Sequence, residues 1–119
     1  MLFRSLDAIA GWMSRHAEAI HDTTPGLEPW QFYGPSTRKG GRLYLHCLAR
    51  PYETITVRGL PIKRVKRAVE LRSGTALDLS TRCPIIDELF NPDPTGEVTV
   101  RVPEALLDDL ATVIALDVE

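Results

Sequence analysis

The densest group of side chains with chemical potential lies near the amino terminus, at His16, Glu18, His21 and Asp22. Zinc accepts imidazole and carboxylate ligands, so His16, Glu18 and His21 form a candidate metal set. Their spacing, His-x-Glu-x-x-His, differs from the His-Glu-x-x-His of zinc proteases, in which two histidines one helical turn apart face the metal. Because no cysteine or third histidine lies nearby in the sequence, we predict neither a metal nor another cofactor.

The two carboxylates offer a second chemistry. Glu18 and Asp22 have the residue types of an acid–base pair in a small hydrolase. A carboxylate where a helix gives way to a loop more often accepts backbone N–H bonds. We therefore expect Glu18, together with Thr23, to fix the junction between helix and loop, and we predict no catalytic residue in the chain.

Three aromatic residues, Trp30, Phe32 and Tyr33, lie close together in a long connection between residues 21 and 41. Such a cluster either anchors its loop on the protein core or forms a stacking platform for a sugar. Loop anchoring is the commoner role, and the sugar platform is the alternative that remains open.

Composition limits the partners of the chain. It has 119 residues, enough for one domain, and a formal net charge of −2, so it lacks the basic field that holds nucleic acid or an anionic membrane. The basic run from Lys63 to Arg67 is expected to be a solvated strand face. Residues 1–5 lack the apolar core of a signal peptide, which predicts a cytoplasmic chain as the sequence stands. Cys47 and Cys83 are expected to be two buried free thiols.

One helix precedes the rest of the chain. Apolar residues recur at steps of three and four between residues 2 and 20, at Leu2, Leu6, Ile9, Met13, Ala17 and Ile20. This spacing predicts an amphipathic helix that extends to about Ile20.

Strand patterns follow the helix. Residues 43–49 are apolar on both faces, which indicates a central strand covered on two sides. Residues 54–57, 65–71, 76–79, 97–102 and 112–118 read as further strands, with turns at Arg58–Pro61 and Ser73–Gly74 and an irregular segment from 83 to 96. In the segment 65–71, Val65, Val69 and Leu71 are expected inside and Glu70 outside. The sequence predicts a mainly β fold, an antiparallel two-sheet β-sandwich of six to eight strands with one N-terminal amphipathic α-helix.

Several stretches resemble α-L-fucosidases in order and spacing. Leu6, Ile9, Trp12 and Met13, then Glu18-Ala19-Ile20 and Thr23, are similar to the family pattern Ile-Gly-x-Trp-Leu-x-x-Asn-Gly-Glu-Ala-Ile-Tyr-x-Thr-Arg-Pro-Trp. Lys39-Gly40, Leu43-Tyr44, Leu48 and Pro51 resemble Lys-Gly-Asp-x-Leu-Tyr and a closing Leu-x-Trp-Pro. The segments 65–74, 96–100 and 113–116 are similar to the remaining strands. The chain departs from the pattern at Ala10, His16-Ala17, His21, Thr24, Gly26 and Arg50.

The resemblance implies a retaining glycosidase built from a (β/α)-barrel and a C-terminal β-sandwich, with both catalytic carboxylates in the barrel. Residues 1–24 would then be the last barrel helix and junction loop, and residues 25–119 the sandwich. This implies a non-catalytic domain that braces a barrel and is inactive alone. The alternatives are a carbohydrate-binding module for fucosylated glycans, an oligomerising module and the carboxylate hydrolase. Because the helix stripe would lack its barrel neighbours, we also expect a homodimer through the N-terminal helix.

Overall fold

A computed structural model describes residues 2–48, 51–108 and 111–119, with side chains from Leu6 onward. The described residues form nine strands in two antiparallel sheets, which confirms the predicted mainly β sandwich with its N-terminal helix, although the number of strands exceeds the six to eight predicted. The helices are α1 (Leu2–Arg15) and α2 (Ile85–Phe90), and single 3₁₀ turns span Ala17–Ala19 and Glu104–Leu106. The strands are β1 (Thr24–Pro25), β2 (Ser36–Lys39), β3 (Arg42–Cys47), β4 (Thr54–Pro61), β5 (Val65–Glu70), β6 (Thr75–Leu77), β7 (Leu79–Arg82), β8 (Thr95–Arg101) and β9 (Thr112–Val118).

The larger sheet, sheet A, has the order β1-β2-β3-β9-β5-β6, and the smaller sheet B has the order β4-β8-β7. The predicted central strand β3 pairs with β9 along its whole length, with Leu43 opposite Leu116 and Leu45 opposite Ile114. Side chains from the facing sides of the two sheets fill the core between them, as alternation along β4 and β8 predicts.

The two outer faces of the sandwich differ. On sheet A the outer face carries a second apolar cluster, made of Tyr44, Val69, Val113 and Ala115, and the end of α1 and the 3₁₀ turn at Ala19 cover it. We call this the covered face. On sheet B the outward residues are hydroxyl-bearing or charged, and most are exposed: Thr54, Thr56, Ser80, Arg82, Glu97, Thr99 and Arg101. We call this the open face.

The helix ends earlier than the sequence predicted. Helix α1 stops at Arg15, and a 3₁₀ turn replaces the last predicted helical turn up to Ile20. The imidazole of His16 donates from Nδ1 to the carbonyl of Trp12, at 2.8 Å, while the backbone of His16 leaves helical geometry at φ −122°. This side-chain bond to the preceding turn competes with continuation of the helix. Of the predicted stripe, the side chains of Leu2 and of the neighbouring Phe3 lie outside the described residues.

Bulges explain two strand errors. The prediction that Glu70 faces outward was wrong, because a register shift between Val65 and Arg67 buries it at 1% exposure. There its carboxylate accepts the backbone N–H groups of Arg72 and Ser73 and closes the turn into β6. The turn predicted at Arg58–Pro61 is also wrong, since β4 continues through a bulge to Pro61.

Two segments carry structure that the sequence analysis missed. The strand predicted at 76–79 is two strands, because the chain passes from sheet A to sheet B at Asp78. The segment predicted to be irregular, 83–96, contains α2 and leads into β8. Ala49, in the central-strand prediction, and Arg50 lie outside the described residues. Within the described ranges, helices are too short or too polar to span a bilayer.

Candidate functional site

A cluster of charged side chains joins the helix junction to sheet A. Glu18 accepts hydrogen bonds from the guanidinium of Arg42 at 2.6 Å and from the hydroxyl of Tyr44 at 2.7 Å. Arg42, at the start of β3, also donates through Nε to Asp117 on β9 at 2.9 Å, and Arg67 on β5 pairs with the same carboxylate. Three adjacent strands and the 3₁₀ turn therefore meet in one hydrogen-bonded network, the junction network.

The junction network favours ionised carboxylates. The hydrogen bond from Tyr44 lowers the pKa of Glu18, and although burial acts in the opposite direction, the hydrogen bond and the charge of Arg42 keep that pKa below its usual value. Burial raises the pKa of Asp117, but its bonds to Arg67 and Arg42 outweigh that effect and lower it overall. Burial and the neighbouring Glu18 raise the pKa of Tyr44 to about 12. A glutamate held ionised cannot donate a proton near neutral pH, so Glu18 is suited to positioning and unsuited to general-acid catalysis.

Glu18 has hydrogen-bond partners that differ from those we predicted. Its carboxylate binds side chains of β3, whereas we expected backbone N–H groups. Thr23 does lie in the turn, where its hydroxyl donates to the carbonyl of Ile20 at 2.9 Å. Asp22, the other half of the predicted hydrolase pair, is exposed and has a positive φ of 56°, a geometry that reverses the chain before β1.

The histidines do not converge on a metal. His16 is completely buried and stacks on Trp12 with ring centroids 4.6 Å apart, whereas His21 is exposed. His46 pairs with the hydroxyl of Thr37 at 3.2 Å, and that hydroxyl donates to the carbonyl of Ala19. Throughout the ranges described, no three histidine, cysteine or acidic side chains lie close enough to hold a metal ion.

Burial around the histidines affects their charge. The pKa of His46 lies below its usual value of 6.5, because burial of the ring disfavours its charged form and the electrostatic effect of the nearby His16 acts in the same direction. Nε2 of His16 is buried without a hydrogen-bond partner. Both rings therefore act as packing residues beneath the helix junction.

The three aromatic residues of the loop differ in burial. Phe32 is 2% exposed and belongs to the core, so it anchors the loop and is not accessible to a sugar. Trp30 and Tyr33 remain 64% and 55% exposed. The indole of Trp30 lies against Gly59, where a side chain would meet it at 2.5 Å. Gln31 ties the loop to β4 by accepting the backbone N–H of Arg58 at its carbonyl.

Sequence reasoning missed the residues that attach α1 to the sandwich. The indole of Trp12 donates to the carbonyl of Ala111 at 2.7 Å, and Arg15 and Arg72 both approach the carboxylate of Asp108. Arg42 and Asp117 were also missed, although they lie directly opposite each other in the β3–β9 ladder. The only signal for that pair was opposite charge at the ends of two apolar strands, and its use requires the strand register.

Both cysteines are free. Cys47 is buried in the core, where desolvation raises the pKa of its thiol to about 11. Cys83 is partly exposed just after β7. The prediction of two free thiols is confirmed, and the prediction that Cys83 is buried is wrong, because it lies partly exposed after the end of β7.

The fold of this chain is similar to part of several solved α-L-fucosidase structures. No protein-family model and no curated protein sequence matches the chain. Among solved structures, α-L-fucosidase isoenzyme 1 from Paenibacillus thiaminolyticus is 33% identical with a TM-score of 0.69, over 92% of this chain and 24% of that one. A GH29 α-L-fucosidase from Bacteroides thetaiotaomicron gives 24% identity and a TM-score of 0.68, over 94% and 23%. The α-fucosidase of Thermotoga maritima gives 20% and 0.65, over 92% and 24%.

These matches confirm the resemblance to α-L-fucosidases that the sequence motifs indicated. The chain spans about a quarter of the length of the fucosidases it matches. A match of that extent is consistent with a single C-terminal domain of such an enzyme.

Proposed function

We propose that this chain is a non-catalytic β-sandwich domain of the α-L-fucosidase type, which braces a catalytic barrel by packing against it through α1. The observation that carries the proposal is the extent of the match, nearly all of this chain against about a quarter of a fucosidase. The catalytic carboxylates of such an enzyme belong to the barrel, and the carboxylates near the junction of this chain have structural roles.

The surface of α1 supports this role. Leu6 and Ile9 of the predicted stripe are 58% and 52% exposed, while Trp12 and Met13 at the other end of the helix are partly buried. The sandwich therefore covers only the C-terminal part of the helix. Apolar residues that the sandwich leaves uncovered fit a surface that packs against a neighbouring domain.

Complementation tests the proposal. The Paenibacillus thiaminolyticus enzyme would be produced without the quarter that matches this chain, and this chain would be added separately. We expect binding, measured by calorimetry, and a higher unfolding temperature of the truncated enzyme. A Leu6→Glu/Ile9→Glu variant should neither bind the truncated enzyme nor raise its unfolding temperature. Thr56→Glu, on the open face, should behave as the unchanged chain.

Two outcomes would contradict the proposal. One is hydrolysis of nitrophenyl fucoside by this chain alone that disappears in Glu18→Gln, which would assign catalysis to the junction. The other is stabilisation of the truncated enzyme that is equal with and without the two α1 substitutions.

A sugar-binding role is the second candidate, favoured by the exposure of Trp30 and Tyr33 on one loop. Stacking of a sugar on these rings requires neither Phe32 nor the junction network. Calorimetric titration with fucosylated oligosaccharides tests it, with Trp30→Ala and Tyr33→Ala as the matched variants. Heat of binding that persists in both variants, or its absence with the unchanged chain, would remove this candidate.

The homodimer expected through α1 uses the same surface as the barrel. Leu6 and Ile9 of one copy would pack on those of another when no barrel is present. Sedimentation of the unchanged chain and of Leu6→Glu would show whether this contact forms.

A further inference from the structure

Two histidine rings are buried beneath the junction between α1 and sheet A. His16 follows α1 directly and is 0% exposed, and His46 on β3 is 7% exposed. The third histidine of the chain, His21, is exposed. Histidine is the side chain whose charge ordinarily changes between pH 5 and 8. The junction therefore encloses two groups whose protonation depends on pH in that range.

The hydrogen bonds of His16 leave no place for a second proton on its ring. Its Nδ1 lies 2.8 Å from the carbonyl oxygen of Trp12, and a carbonyl only accepts, so Nδ1 carries the hydrogen. Nε2 is then the acceptor atom of the neutral ring, and it is buried without a hydrogen-bond partner among the described residues. A proton on Nε2 would create a buried N–H group with no acceptor, which the closed junction disfavours.

His46 connects two strands to the 3₁₀ turn through two successive hydrogen bonds. The hydroxyl of Thr37 on β2 has one hydrogen, which it donates to the carbonyl of Ala19 at 2.6 Å. The same hydroxyl therefore accepts from Nε2 of His46, which lies 3.2 Å away. Burial of the ring, and then the electrostatic effect of His16, lower the pKa of His46. The closed junction thus favours the neutral form of His46.

The acidic groups near the two rings already have partners. The charged side chains on the neighbouring elements of the covered side are Arg15 on α1, Glu18 on the 3₁₀ turn, Lys39 on β2, Arg42 on β3, Arg67 on β5, Asp117 on β9 and Asp108 just before β9. Each of the three carboxylates in this set is paired with an arginine side chain. A proton on either histidine would therefore add a buried charge that lacks a carboxylate of its own.

We propose that His16 and His46 form a pH-sensitive switch, which holds α1 and the 3₁₀ turn on sheet A when both rings are neutral and releases them when the rings take up protons. In the released state both rings reach water and titrate near the value of free histidine, about 6.5. The released state then binds more protons than the closed state, so release becomes more favourable as pH falls below about 6.5 and is disfavoured above it. The switch belongs to this chain alone, so it operates whether or not α1 binds a barrel.

The number of protons sets the expected size of the effect. Each proton taken up on release raises the equilibrium constant for release about tenfold per pH unit. One ring therefore gives a slope of about one decade per pH unit, and two rings give up to about two. The pKa of Glu18 lies below its usual value of 4.5, chiefly because Tyr44 donates to it, so Glu18 stays ionised between pH 7.5 and 5 and does not contribute to this slope.

Hydrogen exchange followed by NMR measures release in the unchanged chain. The backbone N–H groups of Ala19, Ile20 and His21 donate within the turn and report on the junction, and those of β3 and β9 report on the sandwich. With rates corrected for the intrinsic effect of pH, we expect junction protection to fall about tenfold or more per pH unit below pH 6.5, and strand protection to stay higher at every pH. Equal protection of junction and strands, or junction protection that does not change with pH, would overturn the proposal.

Glutamine variants identify the rings responsible. His16→Gln and His46→Gln should each reduce the slope, because each removes one titrating group. A variant that is also less stable has lower protection at every pH, and the slope still counts the protons that remain. His21→Gln, at the exposed histidine, and Glu18→Gln are the matched controls and should keep the slope of the unchanged chain. A slope that persists in both His16→Gln and His46→Gln, or that disappears in either control, would assign the pH dependence to another group and contradict the switch.

Discussion

The covered and open faces show how one sandwich treats its two outer surfaces differently. On the covered face, Tyr44, Val113 and Ala115 are buried at 0–2% exposure beneath the end of α1. On the open face, Thr56 and Arg101 are exposed, and Thr99 is partly so. Among the described residues, the outer face of sheet A has an apolar layer with a helix packed on it, and the outer face of sheet B has hydroxyl and charged side chains instead.

Sequence pattern carries this difference. Strands β3 and β9 are apolar on both faces because both are buried, whereas β4 and β8 alternate apolar and polar residues because only one face is buried. The ionic contacts differ as well. Glu18, Arg42 and Asp117 join three elements on the covered side, while Glu97 on the open face reaches Arg82 at 3.4 Å and Arg58 at 3.9 Å on neighbouring strands of its own sheet.

The largest expected effect comes from a charge placed on each face. Val113→Asp puts an unpaired carboxylate into the covered face, where the residue is 0% exposed. We expect the free energy of unfolding to fall by about 4 kcal/mol or more, enough to unfold a marginal domain. Urea denaturation followed by circular dichroism measures the loss.

Thr99→Asp is the matched change on the open face, also on a central strand. Its new carboxylate remains in contact with water, so we expect a loss of about 1 kcal/mol from lower strand propensity. Similar losses for Val113→Asp and Thr99→Asp would mean that the covered face is accessible to water and that the comparison fails.

The second prediction concerns the attachment of α1. Trp12 donates its indole N–H to Ala111, stacks on His16 and covers part of the outer cluster. Because Trp12 is only partly buried, Trp12→Ala should cost about 2–3 kcal/mol, less than the truncation of a fully buried aromatic residue.

Limited proteolysis would locate that loss. We expect cleavage near the 3₁₀ turn at Ala17–Ala19 to become faster in Trp12→Ala while the strands stay protected. Trp30→Ala, which removes the exposed indole, is the control. Equal protection of the junction in both variants would show that α1 is held by other contacts.

Sequence analysis recovered the elements with a strong period and missed those set by tertiary contacts. The apolar run of β3 and the alternation of β8 were sufficient to predict both strands and their buried sides. The bulge in β5 reversed the expected side of Glu70, because nothing in Val65–Leu71 indicates where the ladder gains a residue. The crossing at Asp78 was missed since each of its two strands is only three or four residues long.

Similar limits apply to the candidate site. The sequence indicated that Glu18 and Thr23 shape the junction, yet it did not reveal that Glu18 reaches Arg42 and Tyr44. Arg42 and Tyr44 are more than twenty residues from Glu18 in the sequence, so their contact with it can be predicted only when β3 is known to lie beside the turn. Helix α2 was overlooked because three prolines around it suggested irregular structure.

The third prediction uses pH to separate the faces. His46 lies on the covered side, and its pKa is depressed below 6.5 by burial and by His16. The unfolded chain therefore takes up the proton first, so this contribution to stability is present above pH 6.5 and is lost as pH falls through the folded pKa. Urea denaturation should show a falling free energy of unfolding in that window.

His46→Gln should flatten this part of the profile, because glutamine does not titrate. The depressed pKa values of Glu18 and Asp117 affect stability at lower pH. There the unchanged chain and His46→Gln should both lose further stability as these carboxylates take up protons. An unchanged slope in His46→Gln below pH 6.5 would assign the loss to another group.

The smallest expected effect tests whether the open face contributes anything beyond solubility. Thr99→Val keeps the shape and β-branching of the side chain, and it removes a hydroxyl whose oxygen lies 3.4 Å from that of Thr56. At that distance the bond is weak, and Thr56 can exchange it for water, so the free energy of unfolding should change by less than about 0.5 kcal/mol. Val113→Thr is the reverse change on the covered face. It buries a hydroxyl that gains no hydrogen-bond partner, so it should lower the free energy of unfolding by about 1–3 kcal/mol. Equal losses for Thr99→Val and Val113→Thr would contradict the comparison, because they would mean that the hydroxyl groups of the open face are packed against a partner and not exposed to water.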